Sequence, residues 1–209
     1  MNRPETRSRE PIVSRQQAEE PTDEELLARC ARREQSGIEE LTRRYQSPLY
    51  GFLYRLTGSP EDAEEATLEV FLKAWLNADR FQYRSRVSTW LFRIAVNIAR
   101  DLHSRKKARP QEPWPEDEEA ATAISTGSAE DDALEVLESA EKSRELHSAL
   151  AKLSDSDREL IVLYYFHDYD YDEIREITGL SYTVLKTRLA RARQRLRQHL
   201  ERAQTGGNP

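Results

Sequence analysis

The sequence contains one cysteine, seven glycines and no long apolar run among its 209 residues. A single cysteine, Cys30, excludes a disulfide within the chain, and no cysteine–histidine cluster has the spacing of a metal site. A membrane span needs about 20 consecutive apolar residues, and neither such a run nor a signal peptide is present. We therefore expect a soluble, intracellular protein that has no metal and no cofactor.

The motifs of common enzymes are also missing. There is no glycine-rich phosphate loop, no metal-ligand spacing and no pairing of a nucleophile with a base. Acids at 61–69 could hold magnesium, or could dock on a basic partner. Their position at the start of a predicted helix explains them more simply, because the helix dipole favours acids there. We expect no catalytic residues and no enzymatic activity.

Charged side chains make up 33% of the sequence, and the formal net charge is −6. Together with the scarcity of glycine, this composition favours helices. The two signs are separated along the chain. Residues 93–109 contain six cations and one acid, whereas residues 110–141 contain eleven acids and no lysine or arginine. Any surface that binds a polyanion is therefore local, and the protein as a whole is not basic.

The clearest pattern is a pair of helices over residues 171–200. Gly179 suits the left-handed exit of the first helix, and Ser181 can cap the second. The predicted buried side of the second helix is apolar and consists of Val184, Leu185, Leu189, Ala192, Leu196 and Leu200. Its predicted outer side is basic and consists of Lys186, Arg188, Arg191, Arg193, Arg195 and Arg197. This is the pattern of a helix-turn-helix, whose second helix enters the DNA major groove. The alternative is a solvated amphipathic helix pair.

The first half of the chain predicts four or five helices around an aromatic-rich core. Thr22 can cap a helix that runs through about Gln35, and Pro48 suits the start of a further segment. A cap, a proline and acids predict a helix from 60 to about 78. An apolar stripe of period 3.6 then predicts a long helix that begins at Val87.

A loop between those last two helices, residues 79–88, interleaves aromatic residues with arginines. Phe81 and Tyr83 could stack on unpaired bases while Arg84 and Arg86 neutralise the nucleic-acid backbone. The alternative, which the spacing alone favours, is that the two aromatic rings close the top of the core.

Residues 108–130 are typical of a linker, since three prolines and many acids interrupt any helical pattern. An acidic tether can be a spacer, or it can mimic nucleic acid. In the following segment Ser154 can cap a helix, with Asp157 in the position of a capping-box acid. The fold prediction is all-α, with two small helical domains and an acidic linker: a disordered segment 1–21, a helical domain 22–107, the linker 108–130, a four-helix domain with the helix-turn-helix 131–203, and a disordered tail 204–209.

These stretches, in this order, resemble the two domains of bacterial RNA polymerase sigma factors of the sigma-70 family, extracytoplasmic-function (ECF) group. The family's core-polymerase-binding helix resembles SPEDAEEATLEVFLKAW. Its next helix, which meets the melted minus-ten promoter element, resembles STWLFRIAVNIARDLHSRKK. Its second domain, which reads the minus-thirty-five element, resembles LSDSDRELIVLYYFHDYDYDEIREITGLSYTVLKTRLARARQRL. The resemblance covers nearly everything from about 22 to 203.

The resemblance implies a transcription initiation factor that brings core RNA polymerase to promoters and helps to open the DNA. Residues implied in polymerase binding are Asp62, Glu65, Glu69, Phe71, Lys73, Trp75 and Asn77. Residues implied in minus-ten recognition are Phe81, Tyr83, Arg84, Ser85, Arg86, Trp90, Asn97 and Arg100. Residues implied in minus-thirty-five recognition are Ser181, Tyr182, Thr183, Lys186, Thr187, Arg188 and Arg191. The implied partners are core RNA polymerase, promoter DNA and an anti-sigma factor, and the linker would thread the polymerase's positively charged channels.

Four positions depart from the family pattern. Leu68 stands where the family commonly has glutamine, Glu65 where it has aspartate, and Thr183 where it has glycine. Arg175 occupies a position that is usually small, where the two helices of the motif pack closely. We expect its side chain to extend into solvent, or the helices to separate slightly.

A stand-alone helix-turn-helix regulator is the second functional hypothesis. It predicts tight binding to duplex DNA without polymerase. The long acidic linker and the lack of dimerisation heptads argue against it.

Overall fold

The computed structural model describes residues 20–108 and 144–206, with side chains through residue 202. Within these ranges it contains helices and no strand, which confirms the all-α prediction. The helices are α1 (Asp23–Ala31), α2 (Gln35–Thr57), α3 (Pro60–Asn77), α4 (Val87–Ala108), α5 (helical over 144–151), α6 (Asp155–Phe166), α7 (Tyr171–Thr178) and α8 (Tyr182–Gly206). None of the described helices is long and apolar enough to cross a membrane. Apart from Ala108, the predicted linker lies outside the described residues.

Helix α1 is shorter than predicted because its end is set by local backbone geometry. Its start is as expected: the Thr22 hydroxyl accepts from the Glu25 amide at 3.2 Å, and the Glu25 carboxylate accepts from the Thr22 amide at 3.0 Å. The helix ends at Ala31, and Arg33 then takes a left-handed φ of 64°. This left-handed turn ends the predicted helix four residues before Gln35 and lets α2 fold back on α1.

Pro48 lies inside α2, so the prediction that it starts a new segment was wrong. A proline inside a helix removes one hydrogen bond and costs about 3 kcal/mol. Leu41 lies before the proline, Leu49 and Phe52 lie after it, and all three are fully buried in one core. Each such side chain contributes about 1.5–3 kcal/mol by burial, so packing outweighs the local preference.

Helices α1 and α2 come closest at Gly37. A Cβ atom there would lie 2.5 Å from the Leu26 carbonyl oxygen and 2.9 Å from the Cys30 amide nitrogen, which are both backbone atoms. We predict that Gly37→Ala lowers the free energy of unfolding by about 1–3 kcal/mol, as overpacking does. The measurement is urea unfolding followed by circular dichroism.

The matched control is Gly51→Ala in the same helix. A Cβ atom at Gly51 would meet only the flexible end of Arg55, at 3.0 Å. Alanine has the higher helix propensity by about 1 kcal/mol, so this change is expected to be neutral or stabilising. Equal losses in the two variants would contradict the close approach at Gly37.

Helices α3 and α4 complete the first unit with α1 and α2. Ser59 caps α3 by accepting from the Asp62 amide at 3.2 Å, and Pro60 occupies its first turn, as predicted. Helix α4 begins at Val87, also as predicted. It buries more than the expected stripe, since Phe92, Ala95, Val96 and Ala99 are covered as well. A helix buried over this much of its surface has neighbours on more than one side.

The second unit contains α5 to α8. The predicted capping box at α6 is only half present: the Ser154 hydroxyl accepts from the Asp157 amide at 3.3 Å, but the Asp157 carboxylate turns to Arg195. Asp170 and Glu173 form a complete box at α7 instead. Gly179 ends α7 with a φ of 76°, as predicted.

Helix α8 differs from its prediction in two respects. Leu185, Leu189 and Ala192 are buried as expected, whereas Val184 is 44% exposed, so its assignment to the buried side was wrong. The helix also continues through Gly206, past the predicted domain end at 203. Arg175, on α7, extends outward and pairs with Asp172 at 2.7 Å, one of the two outcomes expected for its long side chain.

The two units pack against each other. The seam is the contact of α2 and α4 in the first unit with α5, α6, α7 and the 167–170 loop in the second. At its centre the Phe92 ring lies 4.8 Å from the ring of His167 and 5.1 Å from that of Tyr169. The guanidinium of Arg158 donates across the seam to the Leu56 carbonyl at 2.6 Å. Two domains were predicted from the sequence, but the contact between them was not.

Candidate nucleic-acid and protein interfaces

The first turns of α8 present a basic, hydroxyl-rich surface. Leu185 and Leu189 anchor the helix in the core, so the opposite face is held in solvent. The predicted minus-thirty-five residues that are exposed on this face or just before it are Ser181, Tyr182, Thr183, Lys186, Thr187 and Arg191. The Tyr182 ring packs edge-on against Tyr171, 5.8 Å away, which fixes its direction.

Arg188 does not share this outward orientation. Its guanidinium bonds to the Ser156 hydroxyl and to the Asp157 carboxylate, 3.2 Å away. Asp157 is 5% exposed and also accepts from Arg195 at 2.8 Å. Arg188 was predicted to face outward, but its guanidinium holds α8 against α6. Arg195 is exposed, as predicted, although its guanidinium also reaches Asp157. Arg188 would have to leave Asp157 in order to contact a base.

The 79–88 loop separates its two aromatic rings. Phe81 is 8% exposed and lies 5.2 Å from the Trp90 ring, so it closes the core. Tyr83 is 55% exposed and has a left-handed φ of 54°. Arg84 and Asn97 are exposed, and Ser85 is half-buried. Tyr83 is therefore the ring of this loop that a base could reach.

Two further minus-ten candidates are engaged in the seam. Arg100 forms a two-pronged pair with Glu159, at 2.8 and 3.1 Å, and its guanidinium also lies 3.4 Å from the Thr178 carbonyl. Arg86 pairs with Glu173 at 2.9 Å. In this closed arrangement, acids of the second unit neutralise cations that the family resemblance implies in minus-ten recognition.

Glu159, the buried partner of Arg100, was not among the residues predicted from the sequence. Burial raises the pKa of its carboxyl group, and the pairing with Arg100 opposes that rise. Glu159 lies on the same helical face as Val162 and Leu163, three and four residues on, and both are fully buried. A charged residue within an apolar stripe was the available signal, because such a charge needs a partner.

The predicted polymerase-binding residues on α3 fall into two groups. Glu65 is exposed, Glu69 pairs with Lys73 at 2.9 Å, and the Asn77 amide donates to the Lys73 carbonyl at 2.8 Å. Asp62 pairs with Lys106. The second group is less accessible: Phe71 is 6% exposed, and Trp75 is half-buried with Arg33 over its ring at 5.6 Å. Phe71 therefore supports the helix from within the core and does not line the surface.

A leucine stripe runs along the outer face of α3. Leu68, Leu72 and Leu76 are 72%, 56% and 53% exposed, and a spacing of four places them on one side of the helix. Leu68 was expected only to depart from the family pattern, although the spacing of four is present in the sequence. A contiguous apolar patch rimmed by charged residues is typical of a protein-binding surface.

No group of three or more His, Cys, Asp or Glu residues within 20–108 and 144–206 is placed to hold a metal ion.

Comparisons with known proteins agree with this architecture. Residues 41–109 match the family described as Sigma-70 region 2, and residues 143–196 match Sigma-70, region 4. The chain is 31% identical over 175 residues to the ECF RNA polymerase sigma factor SigW of Bacillus subtilis (strain 168), covering 80% of this chain and 90% of that protein. It is also 31% identical over 186 residues to the ECF RNA polymerase sigma factor RpoE of Cereibacter sphaeroides, covering 86% and 96%.

Among solved structures, the sigma factor RpoE from Bartonella quintana, in complex with the anti-sigma factor NepR, superimposes with a TM-score of 0.57 at 25% identity. The match covers 78% of this chain and 96% of that one. The helical fold and the two matched regions define the class as the sigma-70 family of bacterial RNA polymerase sigma factors, which are non-enzymatic transcription initiation factors. Within that family the chain belongs to the extracytoplasmic-function group.

Proposed function

We propose that the chain binds core RNA polymerase in the cytoplasm, directs it to promoters through the minus-ten and minus-thirty-five elements, and assists promoter melting. Residues 22–107 would bind polymerase and the minus-ten element, and residues 131–203 would bind the minus-thirty-five element. The acidic linker between them would thread the polymerase's basic channels. The observation that carries the proposal is the presence of an apolar stripe on one unit and an exposed basic recognition helix on the other.

Reading of the minus-thirty-five element rests on the exposed start of α8. The N-terminal turns of a recognition helix face base edges in the major groove, and cations further along contact phosphates. Tyr182 and Thr183 are bulky residues at the first of these turns, and both are exposed. They would therefore contribute to the choice of promoter sequence.

Melting requires a place for an unstacked base. Extrusion costs a few kcal/mol, which stacking on an aromatic ring and hydrogen bonds can offset. Tyr83 offers an exposed ring next to Arg84, and Asn97 offers an amide on α4. Arg86 and Arg100 would join them after leaving Glu173 and Glu159. Promoter opening would thus follow the separation of the two units.

The leucine stripe, with Glu65 and the Glu69–Lys73 pair beside it, would dock on the polymerase. By likeness to the Bartonella quintana sigma factor solved with NepR, the proposal also includes an anti-sigma protein among the chain's partners. Such a protein could act by keeping the two units from their separate sites.

The direct test is run-off transcription with purified core polymerase and the full chain on a library of promoters, followed by mapping of transcription start sites. The expected result is initiation at a common pair of elements upstream of the start. No initiation above that of core polymerase alone would overturn the proposal.

Lys186→Ala and Arg191→Ala should each weaken binding of the polymerase complex to minus-thirty-five duplexes. For each variant the loss of affinity should be similar whatever the DNA sequence of the duplex. Both cations are exposed on α8, and phosphate contacts supply affinity that falls with salt. Each change should lower the slope of log affinity against log salt by about one unit. Fluorescence anisotropy over a salt series measures this slope.

Arg197→Ala is the matched control, because Arg197 lies further along α8 and bonds to Glu201 at 2.8 Å. It should leave the slope unchanged. If Arg197→Ala lowers affinity as much as Lys186→Ala does, the contact surface is not the start of α8.

A further inference from the structure

Three of the chain's four histidines lie at the seam between the two units. They are His103 on α4, His147 on α5 and His167 at the end of α6. The fourth, His199, lies on α8. Neither the polymerase surface nor the DNA surfaces described above use any of the three.

His167 is enclosed by aromatic rings of the first unit. Its ring centroid lies 4.8 Å from that of Phe92 and 5.6 Å from that of Phe52, edge-on to both. Its Nε2 atom is buried, with no hydrogen-bond partner among the described residues. Burial lowers the pKa of this imidazole to about 4. The Arg55 guanidinium adds to the effect, and the Asp168 carboxylate opposes it.

His147 has the same two features. Its ring lies 4.5 Å from the ring of Tyr54 on α2, and its Nε2 atom is also buried without a partner in the described part of the chain. Burial lowers its pKa, a hydrogen bond to the Tyr54 backbone opposes this, and the Arg55 and Arg158 cations lower it further. A proton added to either ring would place a charge at an unsatisfied buried atom near Arg55.

His103 faces a cleft of the seam that Arg100, Lys107, Asp155 and Glu159 also line. Burial lowers the pKa of His103. The Asp155 carboxylate, 4.0 Å away, opposes this effect, and the Arg158 and Lys107 cations add to it. The cations that face the three histidines are thus Arg55, Arg100, Arg158 and Lys107, and the acids are Asp155, Glu159 and Asp168. Protonated histidines would add positive charge to a region that is already rich in it.

We propose that the seam is a proton-sensitive closure, in which protonation of His167 and His147 separates the two units and frees Arg86 and Arg100. The closed form requires both imidazoles to be neutral, because their buried nitrogen atoms have no acceptor to receive a donated hydrogen bond. In the open form water can solvate the charged rings. This inference concerns the chain without polymerase or DNA. It can fail while the proposed function stands, and the proposed function can fail while this inference stands.

The sign follows from the lowered pKa values. Above the ordinary histidine pKa of about 6.5, both forms are neutral and closure keeps its full stability. As the pH falls below that value, the open form binds protons that the closed form does not, and closure weakens until the pH reaches the closed-form pKa, which is about 4 for His167. Between about pH 7.5 and about pH 5.5, His167 alone should shift the ratio of closed to open chains about tenfold.

The test is energy transfer between two dyes on the full chain. Gln46→Cys on α2 and Gln194→Cys on α8 provide exposed labelling sites, and Cys30→Ala removes the buried native thiol. Transfer efficiency should fall between about pH 7.5 and about pH 5.5, while the helical circular dichroism signal stays constant. An efficiency that stays constant over this range overturns the proposal, and so does a fall that accompanies loss of helix.

Three variants assign the effect. His167→Phe keeps a ring between Phe52 and Phe92, and His147→Gln keeps a polar side chain; each should flatten the pH response. His199→Gln, away from the seam, should respond like the parent. Glu159 also faces the seam, but its raised pKa acts in the opposite direction, because its carboxyl binds a proton more readily in the closed form and so favours closure as the pH falls. A double variant, His147→Gln with His167→Phe, that responds as strongly as the parent would therefore overturn the role of the histidines.

Discussion

Leu72→Asp is expected to abolish association with core RNA polymerase and to leave the fold intact. Leu72 lies at the centre of the leucine stripe and is 56% exposed, so an aspartate there stays in water in the free chain. In a docked complex the same carboxylate would be buried against an apolar partner. Loss of a central apolar contact typically costs about 2–4 kcal/mol, or about 30- to 1000-fold in Kd, and the buried charge adds to this.

The measurement is a titration of labelled chain with core polymerase, supported by co-purification. Gln46→Asp is the matched control, because it adds the same charge at an exposed position of α2. It should bind as the parent does, and both variants should keep the parent's thermal unfolding midpoint. If Leu72→Asp binds with unchanged Kd, the leucine stripe is not the polymerase surface.

Local chemistry explains why several helix ends could be predicted from the sequence. Ser59 and Pro60 begin α3, and Gly179 ends α7, because a cap, a fixed φ or a left-handed φ is a property of the residue itself. Pro48 shows the limit of that reasoning. Its local preference for a helix start is real, but the core on both sides of it holds α2 together.

The candidate surfaces were predictable to a similar degree. Helical periodicity placed Lys186 and Arg191 on the outer face of α8, where they are found. It also predicted that Arg188 faces outward, because the period tells which side of a helix is polar and not which acid lies nearby. Arg188 turns to Asp157, 31 positions away in the sequence, a pairing that depends on how α6 packs on α8.

The seam could not be predicted for the same reason. Its two-pronged ion pair, Arg100 with Glu159, joins residues 59 positions apart across the predicted linker. Periodicity identifies a buried face but not the element that covers it. The only local sign was charge in an apolar stripe of α6, at Arg158 and Glu159. Both are nearly buried, at 9% and 4% exposure, and both turn out to contact the other unit.

Arg158→Ala is expected to destabilise the protein by about 3 kcal/mol, the largest stability effect predicted here. The guanidinium of Arg158 donates to backbone carbonyls at the ends of two helices, at distances of 2.6–3.3 Å: Leu56 of α2, and Leu150, Ala151 and Leu153 in and just after α5. Carbonyls at a helix C-terminus lack partners within the helix and carry partial negative charge. A single planar cation satisfies them at both helix ends.

Burial lowers the pKa of Arg158, and the nearby Asp155 carboxylate opposes this; the guanidinium nevertheless remains charged, as arginine does throughout the accessible pH range. Alanine would remove this donor from all four carbonyls, of which Leu150 keeps the Leu153 amide at 3.0 Å. The expected cost is about 1–3 kcal/mol for each carbonyl that is left without a donor and that water cannot reach. Urea unfolding of the full chain measures the total. Arg175→Ala provides the comparison, since its exposed pair with Asp172 should contribute no more than about 0.5 kcal/mol.

Arg158→Lys distinguishes charge from geometry at this site. Lysine keeps the positive charge, but its donors radiate from one nitrogen and cannot span carbonyls at the ends of α2 and α5 together. The free energy of unfolding of Arg158→Lys should therefore lie between that of Arg158→Ala and that of the parent. Both variants should show lower energy transfer between the two units at neutral pH. If lysine restores full stability, charge at the helix ends is sufficient. If alanine costs no more than Arg175→Ala does, water replaces the guanidinium and the seam is held by its rings and ion pairs.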